Sequence, residues 1–353
     1  MSAPCVHFGT CGGCAFQDLA EADYRAAKRD LVARASARYG LGDCEIAQTV
    51  AVPPRTRRRC VFKIARRGGE VAIGFHARAS HAIVDMRECL VLTPGLFALA
   101  AGLRGIMGDI LRDGETAELH ATEADNGFDL ALRPLHAVDP PSVARLARWA
   151  ERSGIARIVS GRDLLVELAA PELRIANSIV RLPPGAFLQP TRAGEEFLQA
   201  RVAEALAGAK ALADLFAGCG TFALTLARRA KVHAVELDGA MLDSLSVAAR
   251  ATSSLKPVTT EKRDLFKRPL SARELKPFDA VALDPPRAGA AAQIAELARS
   301  DVARIAYVSC DAGSFARDAR ILVDGGYRIG RVIPVDQFLW SEHIELVTDF
   351  ERR

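Results

Sequence analysis

The chain has 353 residues, of which half are hydrophobic and a quarter charged, and its formal net charge is +4. This length suffices for about two domains with sizeable cores. The apolar residues are interleaved with arginine and glutamate, and no apolar run is long enough to span a bilayer, which argues against a membrane protein. No basic segment followed by an apolar stretch opens the chain, so we expect no secretory signal and a cytoplasmic protein.

The first half of the chain is predicted to be α+β. A helix over 21–39 should end at Gly40, because glycine readily adopts a left-handed C-cap. Two hairpins are indicated by Arg67-Gly68-Gly69 and Asp125-Asn126-Gly127 between alternating apolar runs. The predicted strands are 59–65, 70–76, 117–123 and 128–132, and further helices are predicted over 94–112 and 141–152.

A basic strip covers residues 55–67. Seven of its thirteen positions are basic and none is acidic. Such a strip is suited to contact phosphates of a nucleic acid, and a solvated strand face is the alternative interpretation.

The second half of the chain alternates strands with helices, which predicts a doubly wound α/β sheet. The border between the halves is placed near Pro183-Pro184-Gly185, giving an α+β domain over 1–185 and a catalytic domain over 186–353. Ligands of such sheets bind at the carboxyl ends of the strands. The predicted strands are 211–216, 232–237, 258–262, 279–283, 304–309, 327–334 and 344–350.

A glycine loop, Gly218-x-Gly220, follows the first of these strands and precedes a helix. Nicotinamide, flavin and adenosylmethionine enzymes share this geometry. Glu236 ends the next strand, where a carboxylate can accept both ribose hydroxyls of an adenosine. A pyrophosphate-binding loop would favour a third glycine where Ala223 stands, so the pattern favours adenosylmethionine over NAD.

The loop Asp284-Pro285-Pro286-Arg287 and the thiol of Cys310 follow two later strands. Consecutive prolines hold the backbone rigid where a planar group is gripped. Related loops serve amino-group methylation of bases, which needs no thiol, whereas a reactive cysteine suits methylation of carbon. Cytosine C5 in RNA would call for a second cysteine within 284–289, and there is none, which leaves uracil C5 as the acceptor.

With these motifs the chain resembles the bacterial RNA uracil-5-methyltransferases that carry an iron-sulfur cluster. The resemblance extends over nearly the whole chain and includes Phe187-Leu188-Gln189-Pro190 and His343-Ile344-Glu345. It implies a class I (Rossmann-like) methyltransferase sheet preceded by an α+β domain with a four-cysteine cluster site. It also implies Cys310 as nucleophile, Glu345 as base, and a donor site for S-adenosyl-L-methionine formed by Gln189, Phe216, Gly218, Gly220, Thr221, Glu236, Asp264 and Asp284.

The chemistry requires the same two catalytic roles. Uracil C5 is too weak a nucleophile to attack a sulfonium methyl group unaided, whereas addition of a thiolate to C6 makes C5 electron-rich. A base must then remove the C5 proton before the thiolate leaves. Gln189 and Asp284 would orient either the donor or the uracil edge, and the sequence leaves both duties open. The target base is expected to be flipped out of structured RNA.

Three cysteines cluster near the N-terminus and a fourth follows later. Cys5, Cys11, Cys14 and Cys89 form a set that suits either an iron-sulfur cluster or structural zinc. The resemblance implies a [4Fe-4S] cluster. The remaining cysteines, Cys44, Cys60 and Cys219, are interpreted as packing residues.

The layout of the chain indicates the substrate. The cysteine set begins at residue 5, so we expect no additional N-terminal RNA-binding β-barrel, which is the layout of the smaller ribosomal-RNA enzymes of the family. We therefore expect 23S ribosomal RNA as the substrate, with transfer RNA second, and a monomer. Thr221, Asp311 and the segment 338–341 depart from the family pattern. Two alternatives remain: a noncatalytic RNA-binding protein on the same fold, and an adenosylmethionine enzyme acting on another base or a small molecule.

Overall fold

The computed structural model describes residues 3–133 and 137–353. Within these residues the chain forms a seven-stranded sheet, a two-stranded hairpin and a nine-stranded sheet. No helix of the described residues is both long and apolar enough to cross a membrane.

The elements up to residue 181 form the seven-stranded sheet with its helices and the two-stranded hairpin. One helix and one strand in this range lie elsewhere. In chain order they are α1 (Glu21–Arg38), β1 (Val50–Ala51), β2 (Arg59–Arg67), β3 (Glu70–His76), β4 (Ile83–Asp85), α2 (Pro94–Ile110), β5 (Thr116–Ala124), β6 (Gly127–Arg133), α3 (Pro140–Arg152), β7 (Ile155–Ser160), β8 (Asp163–Glu167), β9 (Glu172–Ile175) and β10 (Ser178–Arg181).

The seven-stranded sheet is mostly antiparallel, in the order β4-β3-β2-β5-β6-β7-β8. Gly68 and Gly69 join β2 to β3 with φ of +58° and +82°, the left-handed conformations that a two-residue hairpin turn requires. Alternate residues of β2, such as Phe62 and Ile64, are fully buried in the core beneath α2. Both predicted hairpins and the predicted helices are therefore confirmed, with ends within a few residues.

The elements after residue 190 form the larger sheet and its helices. They are α4 (Arg192–Ala205), β11 (Ala211–Leu215), α5 (Ala223–Leu226), β12 (Lys231–Glu236), α6 (Gly239–Ala251), β13 (Val258–Lys262), α7 (Ala272–Leu275), β14 (Ala280–Leu283), α8 (Ala291–Ala298), β15 (Arg304–Ser309), α9 (Ala312–Asp324), β16 (Tyr327–Ile329), β17 (Ile333–Asp336) and β18 (Glu345–Arg352).

The nine-stranded sheet has the order β1-β17-β18-β15-β14-β11-β12-β13, with β16 pairing to β18. The strands from β11 to β15 are parallel, and β18 runs antiparallel between β15 and β17. Chain order reverses between β11 and β14, so the ends of these two strands frame the crevice where such sheets bind ligands. The doubly wound prediction is confirmed.

Two features of this sheet differ from the predictions. The strand predicted over 327–334 is divided into β16 and β17 by Gly330, where a Cβ would lie 2.4 Å from Asp349 Oδ1. In addition, β1 pairs with β17 and α1 packs on α9, so residues 21–51 lie against the C-terminal sheet, not the N-terminal one. The domain border near residue 185 remains a prediction.

Helix α1 is fixed to the catalytic sheet by a buried ion pair. Lys28 Nζ lies 2.8 Å from Asp336 Oδ1, and both side chains are fully buried. The ammonium also donates to the carbonyls of Phe338, at 3.1 Å, and of His343, at 2.5 Å. Tyr24 donates its hydroxyl to the other oxygen of Asp336. All three Lys28 donors are therefore used, which is what makes burial of a charge tolerable.

We predict that Lys28→Met lowers the free energy of unfolding by about 3–5 kcal/mol, because it leaves the Asp336 charge buried without its partner. Arg25→Met is the matched control, since Arg25 pairs with Glu21 on the exposed side of the same helix, and it should cost less than about 0.5 kcal/mol. Urea denaturation measures both. A loss in Lys28→Met no larger than in the control would contradict the structural role of the pair.

Candidate active site

A cavity of about 530 Å³ lies at the carboxyl ends of the central strands. Most of the site residues expected from the sequence line it, together with side chains from the N-terminal sheet. The expected residues that line it are Gln189, Phe216, Gly218, Thr221, Glu236, Asp264, Asp284, Cys310 and Glu345.

The glycine loop begins with a strained residue. Phe216 has a φ of +61°, which is uncommon for a residue with a side chain. Gly218 follows with a φ of +54°, and no atom lies within 4 Å of where its Cβ would be, so its backbone is open to a ligand. Gly220 does not line the cavity; its φ of +96° turns the chain, and a Cβ there would lie 2.4 Å from Leu245.

Glu236, directly at the end of β12, braces this loop. Its carboxylate accepts hydrogen bonds from the amides of Gly218 at 3.1 Å, Leu237 at 2.7 Å and Asp238 at 3.0 Å. A carboxylate fixed in this way lies where the ribose of an adenosine would be bound beside the loop.

The next strand contributes the far wall of the cavity. Asp264 follows β13 and accepts from the amide of Phe266 at 3.0 Å. The Phe216 and Phe266 rings lie 5.5 Å apart, and Leu237 is 54% exposed beside them. The acidic strand ends and the apolar rings between them fit the ribose and adenine of a nucleoside donor.

The candidate nucleophile lies at the opposite end of the cavity. Cys310 follows β15, and β15 pairs with β18 so that Ser309 faces Leu346, which brings Cys310 beside Glu345. Burial and the charges of Glu345 and Asp284 raise the pKa of the Cys310 thiol to about 12, and the cation of Arg287 opposes them. The resting thiol is therefore protonated at neutral pH.

The buried carboxyl group of Glu345 and the half-buried one of Asp284 are linked by two amides next to this thiol. Gln189 Nε2 donates to Asp284 Oδ2 at 2.9 Å. Gln337 Nε2 donates to Gln189 Oε1 at 2.7 Å and to Glu345 Oε2 at 2.9 Å. Burial raises the pKa of Asp284 to about 7 and, together with the charge of Asp284, raises that of Glu345 well above its usual value.

The basic strip of residues 55–67 divides into structural and cavity-lining residues. Arg58 is buried in an ion pair with Glu195 at 2.6 Å and donates to the carbonyl of Gln189 at 3.1 Å. Arg57 and Arg59 line the cavity, and the guanidinium of Arg59 lies 4.3 Å from the centre of the Phe187 ring. The strip therefore both positions Gln189 and places two cations at the cavity.

A second cavity of about 530 Å³ contains the four predicted cysteine ligands. Cys5, Cys11, Cys14 and Cys89 all line it, and Cys60 lies beside them. Burial raises the pKa of the Cys14 thiol to about 12, and the other three thiols contribute, which shows that the four lie close together. Even so, the described residues contain no group of three or more His, Cys, Asp or Glu side chains arranged to hold a metal ion. The cluster therefore remains a prediction.

Several residues of the site were not found from the sequence. Gln337 and Lys28 carry no motif, although the polar pair Asp336-Gln337 at the end of an apolar strand is a signal of a buried polar network. His343, which the sequence indicated only as part of the motif His343-Ile344-Glu345, lines both cavities together with Arg57 and Phe338.

Comparison with known proteins identifies the family. The model of the family described as tRNA (Uracil-5-)-methyltransferase matches residues 149–353. An uncharacterised RNA methyltransferase of Rhizobium meliloti is 44% identical over 358 residues, covering 100% of this chain and 86% of that protein. The chain belongs to the tRNA (uracil-5-)-methyltransferase family. It is therefore an RNA uracil-5-methyltransferase that uses S-adenosylmethionine, which confirms the reaction class expected from the motifs.

Two further relatives of the family have described activities. The 23S rRNA (uracil(1939)-C(5))-methyltransferase of Aeromonas salmonicida is 30% identical, covering 99% of this chain and 82% of that protein. The crystal structure of the Pyrococcus abyssi tRNA (uracil-54, C5)-methyltransferase with S-adenosyl-L-homocysteine matches with a TM-score of 0.74 at 21% identity, covering 96% of this chain and 84% of that one. The likeness to the Pyrococcus abyssi structure confirms the mixed α/β methyltransferase fold.

We predict that Glu345→Gln shifts alkylation of Cys310 to lower pH. The Glu345 charge raises the pKa of the thiol, so its removal lets the reactive thiolate form at lower pH. Iodoacetamide labelling of the Cys310 peptide, followed by mass spectrometry across a pH series, measures this. Glu342→Gln, an exposed change three residues away, should leave the curve in place. Equal curves for wild type and Glu345→Gln would show that the two side chains do not interact.

Proposed function

We propose that this methyltransferase modifies C5 of a uridine in 23S ribosomal RNA through a covalent bond between Cys310 and C6 of the base. The observation that supports the proposal most is the position of Cys310 beside Glu345 in the cavity that also contains the glycine loop. Methyl transfer to nitrogen or oxygen needs neither a thiol nor a base that removes a proton from carbon.

The chain's residues act in sequence on the bound uracil. The Cys310 thiol releases its proton to solvent as its sulfur forms a bond to C6, and the electron pair of the C5–C6 double bond moves into the ring to give an enolate. A bound S-adenosylmethionine would supply an electrophilic methyl group, which C5 takes as S-adenosylhomocysteine departs. Glu345 then accepts the C5 proton, the C6–S bond breaks and the double bond re-forms. The product is 5-methyluridine; the Cys310 thiolate then takes up a proton and Glu345 releases the C5 proton, which restores the resting site.

The duties of the polar residues divide between the two ends of the cavity. The charge of Asp284 acts on both Cys310 and Glu345, whereas Glu236 and Asp264 lie at the ends of β12 and β13. We assign Asp284 and Gln189 to the uracil edge, because they are held beside the reacting thiol. Glu236 and Asp264, with Phe216, Gly218 and Thr221, are assigned to the donor.

The cations at the cavity suit the RNA backbone. Arg57 and Arg59 have no carboxylate ion pair among the described residues, and the Arg287 side chain is 64% exposed, 3.7 Å from Asp311 and 3.5 Å from His343 Nδ1. Burial lowers the pKa of Arg59 to about 10, aided by Arg57 and Arg58. Grouped guanidinium cations of this kind favour phosphates. The ring of Phe187, 54% exposed, offers a stacking face for a base next to the flipped uridine.

The choice of 23S ribosomal RNA is supported by the Aeromonas salmonicida relative, whose substrate is uracil 1939 of that RNA. Its similarity extends over almost the entire chain, including the segment before residue 149 that the family model leaves out. Transfer RNA is the alternative substrate.

We also propose that Cys5, Cys11, Cys14 and Cys89 hold an iron-sulfur cluster. The four thiols line one cavity, and four cysteine thiolates are the ligand set of such a cluster. Because methyl transfer is redox-neutral, the cluster would serve structure by fixing the loop from Cys5 to Cys14.

The covalent mechanism predicts that Glu345→Gln traps its RNA. Glutamine keeps the size of the side chain but cannot accept the C5 proton, so addition and methyl transfer proceed while release stalls. With S-adenosylmethionine and a 23S fragment spanning uridine 1939, the variant should accumulate a protein-RNA band that survives denaturing electrophoresis.

Two controls separate the parts of this proposal. The double variant Cys310→Ala with Glu345→Gln should give no band, and neither should a fragment in which uridine 1939 is replaced by cytidine. A band with transfer RNA but not with the 23S fragment would overturn the substrate while keeping the reaction. No band with any RNA would overturn the covalent mechanism.

The cluster predicts a specific loss of iron. Protein purified without air should be brown and contain about four irons per chain, and Cys14→Ser should lose both iron and colour because it removes one ligand. Cys44→Ser is the matched control, since Cys44 is also half-buried but lies outside the cysteine cavity. Elemental analysis measures both metals, and one zinc per chain without iron would show that the site is a zinc site.

A further inference from the structure

Gln337 lies behind the active site without lining its cavity. It directly follows β17, is 1% exposed, and contacts the site only through other side chains. In the register of β17 and β18, Val335 faces Glu345, so Gln337, two residues further and on the same side of the chain, reaches Glu345 diagonally.

The hydrogen bonds around Gln337 have one consistent direction. In their ionised forms Asp284 and Glu345 can only accept hydrogen bonds, so each must then face an amide nitrogen. Gln189 therefore turns its Nε2 to Asp284 and its Oε1 to Gln337, whose Nε2 uses one hydrogen for Gln189 and the other for Glu345. Both hydrogens of the Gln337 amide are thus engaged.

Close packing holds Gln337 in this orientation. A Cβ added to Gly194, near the start of α4, would lie 2.5 Å from Gln337 Oε1 and 3.1 Å from Gln337 Cβ. Glycine has an ordinary helical conformation there and no left-handed φ, and alanine would normally suit a helix better by about 1 kcal/mol. The absence of a side chain at 194 is therefore what gives Gln337 its room.

We propose that Gln337 is a positioning residue that links the uracil-binding pair, Gln189 and Asp284, to the base Glu345. This inference rests on the proposed function. A side chain that faces Gln189 and Glu345 at once keeps the base at a fixed place relative to the group that orients the uracil. The C5 proton is then removed only from a uracil that is correctly bound.

The hydrogen bond from Gln337 to Glu345 affects how the release of the methylated RNA from Cys310 depends on pH. The groups that act on Glu345 are the charge of Asp284 after β14, which raises its pKa, and the amide of Gln337, which lowers it. Two further titratable groups belong to this site: the Cys310 thiol after β15, and Arg287, whose charge acts on that thiol. Loss of the Gln337 amide raises the pKa of Glu345 further. Since the base must be ionised to accept the C5 proton, release then requires a higher pH.

Gln337→Met tests the proposal, because methionine has a similar length and no donor. We expect kcat to fall about tenfold or more while the dissociation constant for S-adenosylhomocysteine stays within about twofold. The denaturation-resistant RNA adduct should accumulate during turnover, and the curve of release rate against pH should move to higher pH.

Gln293→Met is the matched control. Gln293 is also fully buried and makes two hydrogen bonds, at 2.8 Å and 3.0 Å, with the backbone of Leu270, and neither residue lines the active-site cavity. It should lower stability without adduct accumulation or a displaced pH curve. If Gln337→Met merely resembles this control, Gln337 has a structural role alone and the inference is overturned.

Gly194→Ala provides an independent variant, because it displaces Gln337 without changing its chemistry. It should shift adduct accumulation and the pH curve in the same direction as Gln337→Met. Gly194→Ala and Gln337→Met are measured beside a Glu345→Gln sample. If both variants release the RNA normally while Glu345→Gln does form the adduct, the positioning role alone is overturned. A Glu345→Gln sample without adduct would instead overturn the proposed function.

Discussion

The buried pair of Lys28 and Asp336 is the constraint on which both cavities depend. It fixes the segment 337–344, because the Lys28 ammonium binds carbonyl groups near both ends of that segment. Trp340 in its middle has a φ of +57°, a conformation that costs energy for a residue with a side chain. It is held there from both sides: its amide donates to the Tyr24 hydroxyl at 2.7 Å, and its carbonyl accepts from Ala15 at 2.6 Å.

This segment connects the cysteine loop to Glu345, the proposed base. Ala15 and Phe16, which bind the Trp340 carbonyl, directly follow Cys14, and Glu345 directly follows the segment. Its residues Phe338 and His343 are shared walls of the two cavities. Anything that orders the cysteine loop therefore also orders the approach to the base. The proposed cluster would therefore have a physical reason to lie close to a redox-neutral active site.

The parts of the fold that could be predicted from the sequence are those set by local chemistry. Gly68-Gly69 specified a hairpin turn, alternation specified β2 and β3, and residues at strand ends converged because parallel strands end at one edge. The interruption at Gly330 was missed, because the bend depends on Asp349 from a distant strand. The pairing of β1 with β17 was missed for the same reason, since a two-residue strand has no periodicity to detect.

The same limit applies to the site. Cys310, Glu345 and Asp284 carry motifs, so the sequence indicated them, and the structure brings them to one cavity. Gln337 and Lys28 each contact a partner more than a hundred residues away. Neither residue belongs to a motif, and the position of Gln337 beside Asp336 at the end of an apolar strand is the one local signal. The basic strip shows the intermediate case: its composition suggested contact with phosphate, but only tertiary structure separates Arg58, which is buried against Glu195, from Arg57 and Arg59 at the cavity.

Burial raises the pKa of both Glu345 and Cys310. It makes the carboxylate a stronger base but keeps the thiol in its unreactive, protonated form. A carboxyl group removed from water has a raised pKa and is a stronger base, which suits the removal of a proton from carbon. The same burial, together with the nearby carboxylates, keeps Cys310 as a thiol. A protonated thiol resists oxidation and stray alkylation, so the proposed nucleophile would be protected between turnovers. Arg287 is the cation that opposes this effect, and its high exposure leaves it free to move towards an incoming phosphate. The resting enzyme is therefore arranged for the last step of the reaction, and its first step must draw on the binding of the RNA.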